Sequence, residues 1–120
     1  MKYKTIELDG YRLDGAVAKA LRKKFAFTRK LPDNPGPYSC TIFETCEMFS
    51  PSSNWQHGGP IIDREGIELW KWTGADGTYW CSHVGGRRID TADKESIGDT
   101  PLVAAMRAFV TAKLGAEVDL

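Results

Sequence analysis

Apolar residues at Leu13, Ala16, Val17, Ala20 and Leu21 recur at steps of three and four, the spacing of one face of a helix. Lys19, Arg22 and Lys23 fall on the opposite face, and Asp9 or Asp14 can serve as the cap. The pattern predicts a helix over about 10–24. A second stripe runs through Leu102, Val103, Met106, Phe109, Val110 and Leu114. Thr100 caps it, Pro101 opens it and Gly115 ends it. Between them the period changes to two. Ile67 to Thr73 alternates, then Gly74-Ala75-Asp76-Gly77, then Thr78 to Val84, which predicts an antiparallel hairpin. A two-residue turn there places Trp70, Trp72, Tyr79, Cys81 and His83 on one face. Leu69, Lys71, Trp80, Ser82 and Val84 take the other. Both faces carry tryptophan, so one packs on the helices and the other needs a cover, a partner or a ligand.

The remaining segments carry weaker patterns. Thr5-Ile6-Glu7-Leu8 reads as a short strand or a lead-in. Pro32, Pro35 and Pro37 make a loop of residues 31–38. From Tyr38, Cys40 and Ile42 alternate with Thr41, Phe43 and Thr45, a strand covered on both faces. Ser50 to Gly59 is a polar connection, after which Pro60 is expected to open a short helix closed by Gly66. Residues 85–99 read as a polar loop. The expected architecture is α+β: a small single domain over 1–120, with an antiparallel sheet around the Trp-rich hairpin packed against two main helices.

Sixteen Lys+Arg balance sixteen Asp+Glu over 120 residues, which argues against a protein that coats nucleic acid. A local basic run, Lys19, Arg22, Lys23, Lys24, Arg29 and Lys30, with Arg87-Arg88 further on, leaves weak nucleic-acid binding as an alternative. No apolar run approaches the ~20 residues of a membrane span, and the first residues lead into no apolar signal core. Cys40, Cys46 and Cys81 are odd in number and form no Cys-x-x-Cys pair. With His57 and His83 they match no usual zinc spacing, so no metal or other cofactor is expected and the cysteines read as reduced, packed side chains.

Two stretches, Phe49-Ser50-Pro51-Ser52-Ser53-Asn54-Trp55-Gln56-His57-Gly58-Gly59-Pro60 on to Ile67 and Thr100-Pro101-Leu102 on to Gly115, are accompanied by the Leu13–Ala20 helix. Together they resemble the NinX-type family of small bacteriophage and prophage proteins. The resemblance implies a phage accessory protein acting in the host bacterial cytoplasm. It implies no activity and carries over no catalytic residue.

The middle stretch has its own chemistry. Ser52, Ser53 and Asn54 offer hydroxyl and amide groups, and Gly58 and Gly59 let backbone N–H groups approach a ligand. A helix opening at Pro60 would set its positive end beside them. Trp55 can stack on a flat ring and Arg64 can pair with charge. The combination suits a small anionic, nucleotide-like ligand, although no Walker or Rossmann motif is present. The plainer reading is turn chemistry around a core tryptophan. Catalysis is the weaker expectation: Cys81 and His83 lie two apart on one strand face, and Asp63 and Glu65 are the candidates for the third, orienting group, but the sequence fixes neither in place. The expected function is therefore binding, with a phage-encoded trap for a host immune signal as its sharper form. A module that inhibits a host protein through the aromatic hairpin is the alternative. The two-sided hairpin and the alanine-rich last helix make a homo-oligomer the default.

Overall fold

The computed structural model describes residues 1–29, 38–75, 77–84 and 95–120. The strands are β1 (Lys2–Lys4), β2 (Phe25–Arg29), β3 (Tyr38–Ile42), β4 (Glu47–Met48), β5 (Glu68–Gly74), β6 (Gly77–His83), β7 (Glu95–Gly98) and β8 (Glu117–Asp119). The helices are α1 (Gly10–Ala20), α2 (Trp55–Glu65) and α3 (Pro101–Leu114). The strands form three antiparallel sheets, β1-β8, β2-β3-β4 and β5-β6-β7. The α+β class read from the sequence therefore holds.

α3 is central because its apolar residues nearly encircle it. Leu102, Ala104, Ala105, Met106, Ala108, Phe109 and Val110 are all buried. Leu13, Ala16 and Val17 of α1, together with Ile61, Ile67 and Val118, share its core. Thr100 accepts the Val103 N–H at 3.2 Å and Pro101 stands in the first turn, as its sequence signals indicate. The hairpin also has the expected register: Trp70 opposes Cys81, Trp72 opposes Tyr79 and Gly74 pairs with Gly77. Its Leu69/Ser82 face meets α3. There the Ser82 hydroxyl contacts the Ala104 carbonyl at 2.5 Å, and Gly98 lies so close that an added Cβ would sit 2.7 Å from the Ala104 nitrogen. On the opposite face Trp72 and Ile97 are 51% and 53% exposed.

Five segments differ from the sequence reading: Glu95–Gly98, expected within the polar loop of residues 85–99, is strand β7 paired to β6, and four others change as follows. α1 stops at Ala20 rather than near residue 24, because Arg22 takes a left-handed conformation (φ 60°). The Arg22 and Lys23 N–H groups turn back to the Lys19 and Ala18 carbonyls. This is a Schellman stop made without the usual glycine, so it leaves little trace in sequence. The chain then forms β2, whose Phe25 and Phe27 pack over Gly15 of α1. Lys2–Lys4 is a strand and Thr5–Glu7 a 3₁₀ turn, where a strand or lead-in was expected over Thr5–Leu8. α2 begins at Trp55, not Pro60, because Asn54 accepts the Gln56 N–H at 2.9 Å and caps the helix five residues earlier.

Cys40 and Cys81 are buried as expected, but Cys46 is exposed; all three are free thiols. Residues 31–37 of the predicted 31–38 loop and residues 85–94 lie outside the described residues, and Tyr38 already belongs to β3. Among the described residues no helix is long and apolar enough to cross a membrane.

Candidate functional site

The three helices run in a common direction. Gly10, Tyr11 and Asp14 of α1, Trp55 at the start of α2, and Thr100, Pro101, Leu102 and Val103 at the start of α3 all line one cavity of about 600 Å³. The opposite ends meet at a second cavity of about 500 Å³, lined by Lys19, Leu21, Arg22, Arg64, Glu65, Lys113 and Leu114. Each helix is 11 to 14 residues long, long enough for its N-terminus to act as a partial positive charge and its C-terminus as a partial negative one. The basic residues of the second cavity are therefore in place to offset three carbonyl ends. Lys113 also pairs with Glu65 at 3.1 Å, and Lys19 donates to the Asp119 carbonyl at 2.6 Å.

At the first cavity the helix ends are the positive ones, and the negative side chain beside them is Asp14. Among the described residues no lysine or arginine lines it. Its size falls within the ~300–1,000 Å³ of small-molecule pockets. One wall is the β2-β3-β4 sheet, through Tyr38, Ser39, Cys40 and Met48; the Ser50–Ser53 turn supplies another, through Ser50, Ser52 and Ser53. Tyr11 and Tyr38 rings stand 5.6 Å apart, and Trp55 is 53% exposed. Arg12 stacks on the Tyr11 ring at 5.1 Å and on Tyr3 at 5.3 Å.

Asp14 is the charged group of the cavity wall. It is only 5% exposed, and its Oδ1 accepts the Ser52 N–H at 2.8 Å. Burial pushes its carboxyl up to about 6, against the lowering effect of hydrogen bonds from the Ser52 side chain and backbone. Burial, and then the negative charge of Asp14, push the neighbouring Cys40 thiol up to about 12, so it is no nucleophile.

Of the residues singled out from sequence, Ser52, Ser53 and Trp55 reach this cavity. Asn54 is spent on capping α2. Gly58 does not present a free N–H, because it donates to the Asn54 carbonyl at 2.9 Å inside the helix. Gly59 stands one residue deeper in α2. Both were expected before a helix start that lies five residues earlier. Arg64 lines the second cavity; nine residues along α2 from Trp55, it is displaced by about 14 Å along the helix axis. Asp14, Tyr11, Tyr38 and the start of α3 were not among the expected residues. Asp14 did leave a signal, since it sits at the helical spacing of Ala18 within an otherwise buried stripe.

The other chemistry weighed from sequence is placed as follows. His57 is tied into the fold: its Nδ1 accepts the Ser50 N–H at 2.9 Å and its ring stacks on Phe49. His83 is 1% exposed, and neither ring nitrogen has a partner among the described residues. Cys81 lies two strand positions away on the same face, a Cα spacing of about 6.6 Å. Among the described residues no three His, Cys, Asp or Glu side chains group as metal ligands. Lys23 and Lys24 are exposed, while Lys30 and Arg87-Arg88 lie outside the described residues, as does the side chain of Arg29.

The family model described as "Bacteriophage P22, NinX" matches residues 4–113, and the chain belongs to that family. No curated protein matches it.

Proposed function

We propose that this NinX-family phage accessory protein works by binding, and that its ligand is a small anionic, ring-bearing molecule of nucleotide type held in the 600 Å³ cavity. The observation that carries this reading is the gathering of three helix N-termini around one cavity that no basic side chain of the described residues lines. Parallel dipoles repel one another, and an anion at their shared positive end relieves that repulsion. Trp55, Tyr11 and Tyr38 offer faces for a ring, and Ser53 offers a hydroxyl, while the Ser52 hydroxyl is engaged with Asp14 and the Gly10 carbonyl. In the phage context the biological reading is sequestration of a host immune signal in the bacterial cytoplasm.

Native mass spectrometry of the protein incubated with a nucleotide-rich extract tests this. A discrete added mass is expected, and Trp55→Ala should remove it while leaving the melting temperature within a few degrees, because Trp55 is half exposed. If no adduct forms with the wild-type protein, the pocket reading is wrong.

A second reading rests on the sheet face carrying Trp72 and Ile97. As a contact for a second copy of the chain, or for a host protein, it would be disrupted by Trp72→Ala with ligand binding intact. Half exposure of Trp72 makes that substitution usable, since little of the core depends on it. Sedimentation of wild type and Trp72→Ala at high concentration separates the cases: monomers throughout would exclude the self-association form.

A further inference from the structure

We propose that Asp14 reads the ring of the bound molecule, and that the ring is one presenting two adjacent N–H donors along an edge, as guanine does. The inference rests on the anion-binding reading of the cavity and adds its specificity. Asp14 is buried in the cavity wall, and the partners described for its carboxyl all come from one residue, Ser52. A carboxylate has about four acceptor sites. Among the described residues it has no cationic partner. Removing a carboxylate from water without full pairing is costly, so a donor supplied from the cavity side stabilises it.

That donor must belong to a molecule that also suits the helix N-termini. A free ammonium would satisfy Asp14 but not the three positive helix ends; inorganic phosphate would satisfy the ends and be repelled by Asp14. A nucleotide carries both kinds of group, with the phosphate on one side and the base edge on the other. Among bases, guanine sets its N1–H and 2-amino group side by side, matching two carboxylate oxygens as a guanidinium does. Adenine and cytosine put a ring acceptor beside their amino donor, and hypoxanthine has a single N–H on that edge. Each would point a lone pair or a bare C–H at a buried carboxylate. A bidentate contact of this kind discriminates by about 1–3 kcal/mol, or roughly 10–100-fold in affinity.

Calorimetric titration of the full chain with GMP, IMP, AMP and inorganic phosphate tests the assignment. GMP is expected to bind roughly 10–100-fold tighter than IMP or AMP. In Asp14→Asn the GMP advantage should vanish, while AMP and phosphate bind as well as before or better, because a negative charge has gone. Equal affinities for GMP, IMP and AMP in the wild-type protein would overturn the edge assignment and leave the anion site standing. Absence of binding by all four would overturn both. The wild-type comparison of GMP with IMP needs no variant, so a folding defect in Asp14→Asn cannot decide the result.

Discussion

Asp14→Asn is expected to stabilise the protein at pH 7.5 by up to about 3 kcal/mol and to flatten its stability between about pH 4 and 6. The carboxyl is held at about 6 in the folded chain, against an ordinary value of 3.8. The folded state therefore binds this proton more tightly than the unfolded state. The stabilising contribution of protonated Asp14 is complete below about pH 4 and is lost as pH rises through about 6. A shift of about 2 pKa units corresponds to about 3 kcal/mol at 1.36 kcal/mol per unit. Asparagine keeps an acceptor for the Ser52 N–H and removes the buried charge. Urea melts of both proteins at pH 4.5 and 7.5 measure the effect. A wild-type-to-variant difference that is the same at both pH values would show that Asp14 is not the group involved. The same substitution should stabilise the fold and erase guanine preference. Those opposite signs separate a recognition role from a structural one, and a stability cost carried by a binding residue is the usual trade at functional sites.

How much of this arrangement the sequence discloses depends on whether each element is specified locally. α3 and the hairpin are: Thr100, Pro101 and Gly115 mark one, while alternation around Asp76-Gly77 marks the other, and both signals act within a few residues. α1 ends at a left-handed Arg22, a conformation with no sequence mark comparable to glycine. β2 was not expected, because Phe25 and Phe27 gain their place by packing on Gly15, a contact between separate elements. α2 was legible but misread. Pro60 is a helix opener by preference, yet Asn54 caps better and its helix simply runs on through the proline. That displacement of the helix start moved Gly58, Gly59 and Arg64 away from the expected pocket and left Ser52, Ser53 and Trp55 in it. The cavity itself is a tertiary object. Its decisive feature, three helices pointing the same way, follows from how the connections run and cannot be read from any one segment.

The adjacent glycines of α2 give the sharpest test of that placement. Gly58→Ala is expected to destabilise the protein by about 1–3 kcal/mol, whereas Gly59→Ala should stay within about 1 kcal/mol of the wild type, because the helix propensity of alanine is offset by a Cβ placed before Pro60. Both sit inside a helix, where alanine is intrinsically the better residue by about 1 kcal/mol. Surroundings override that preference at Gly58. A Cβ on Gly58 would lie 2.6 Å from Leu102 Cδ2 and 2.6 Å from the Pro51 carbonyl oxygen, while a Cβ on Gly59 would meet nothing within 4 Å beyond its own chain neighbours. The leucine side chain can turn aside. The Pro51 carbonyl is backbone in a buried turn and can move only with the turn. That turn carries Ser52, whose N–H holds Asp14, and Ser50, whose carbonyl accepts from Ser53 and Asn54. Crowding at Gly58 is thus transmitted directly to the cavity wall, so Gly58→Ala should also weaken GMP binding, with Gly59→Ala leaving it unchanged. Denaturant melts and titrations on the two variants check both halves. If Gly58→Ala costs no more than Gly59→Ala, α2 does not press against Pro51 and Leu102 as described, and the cavity loses the wall that sets Ser52 against Asp14.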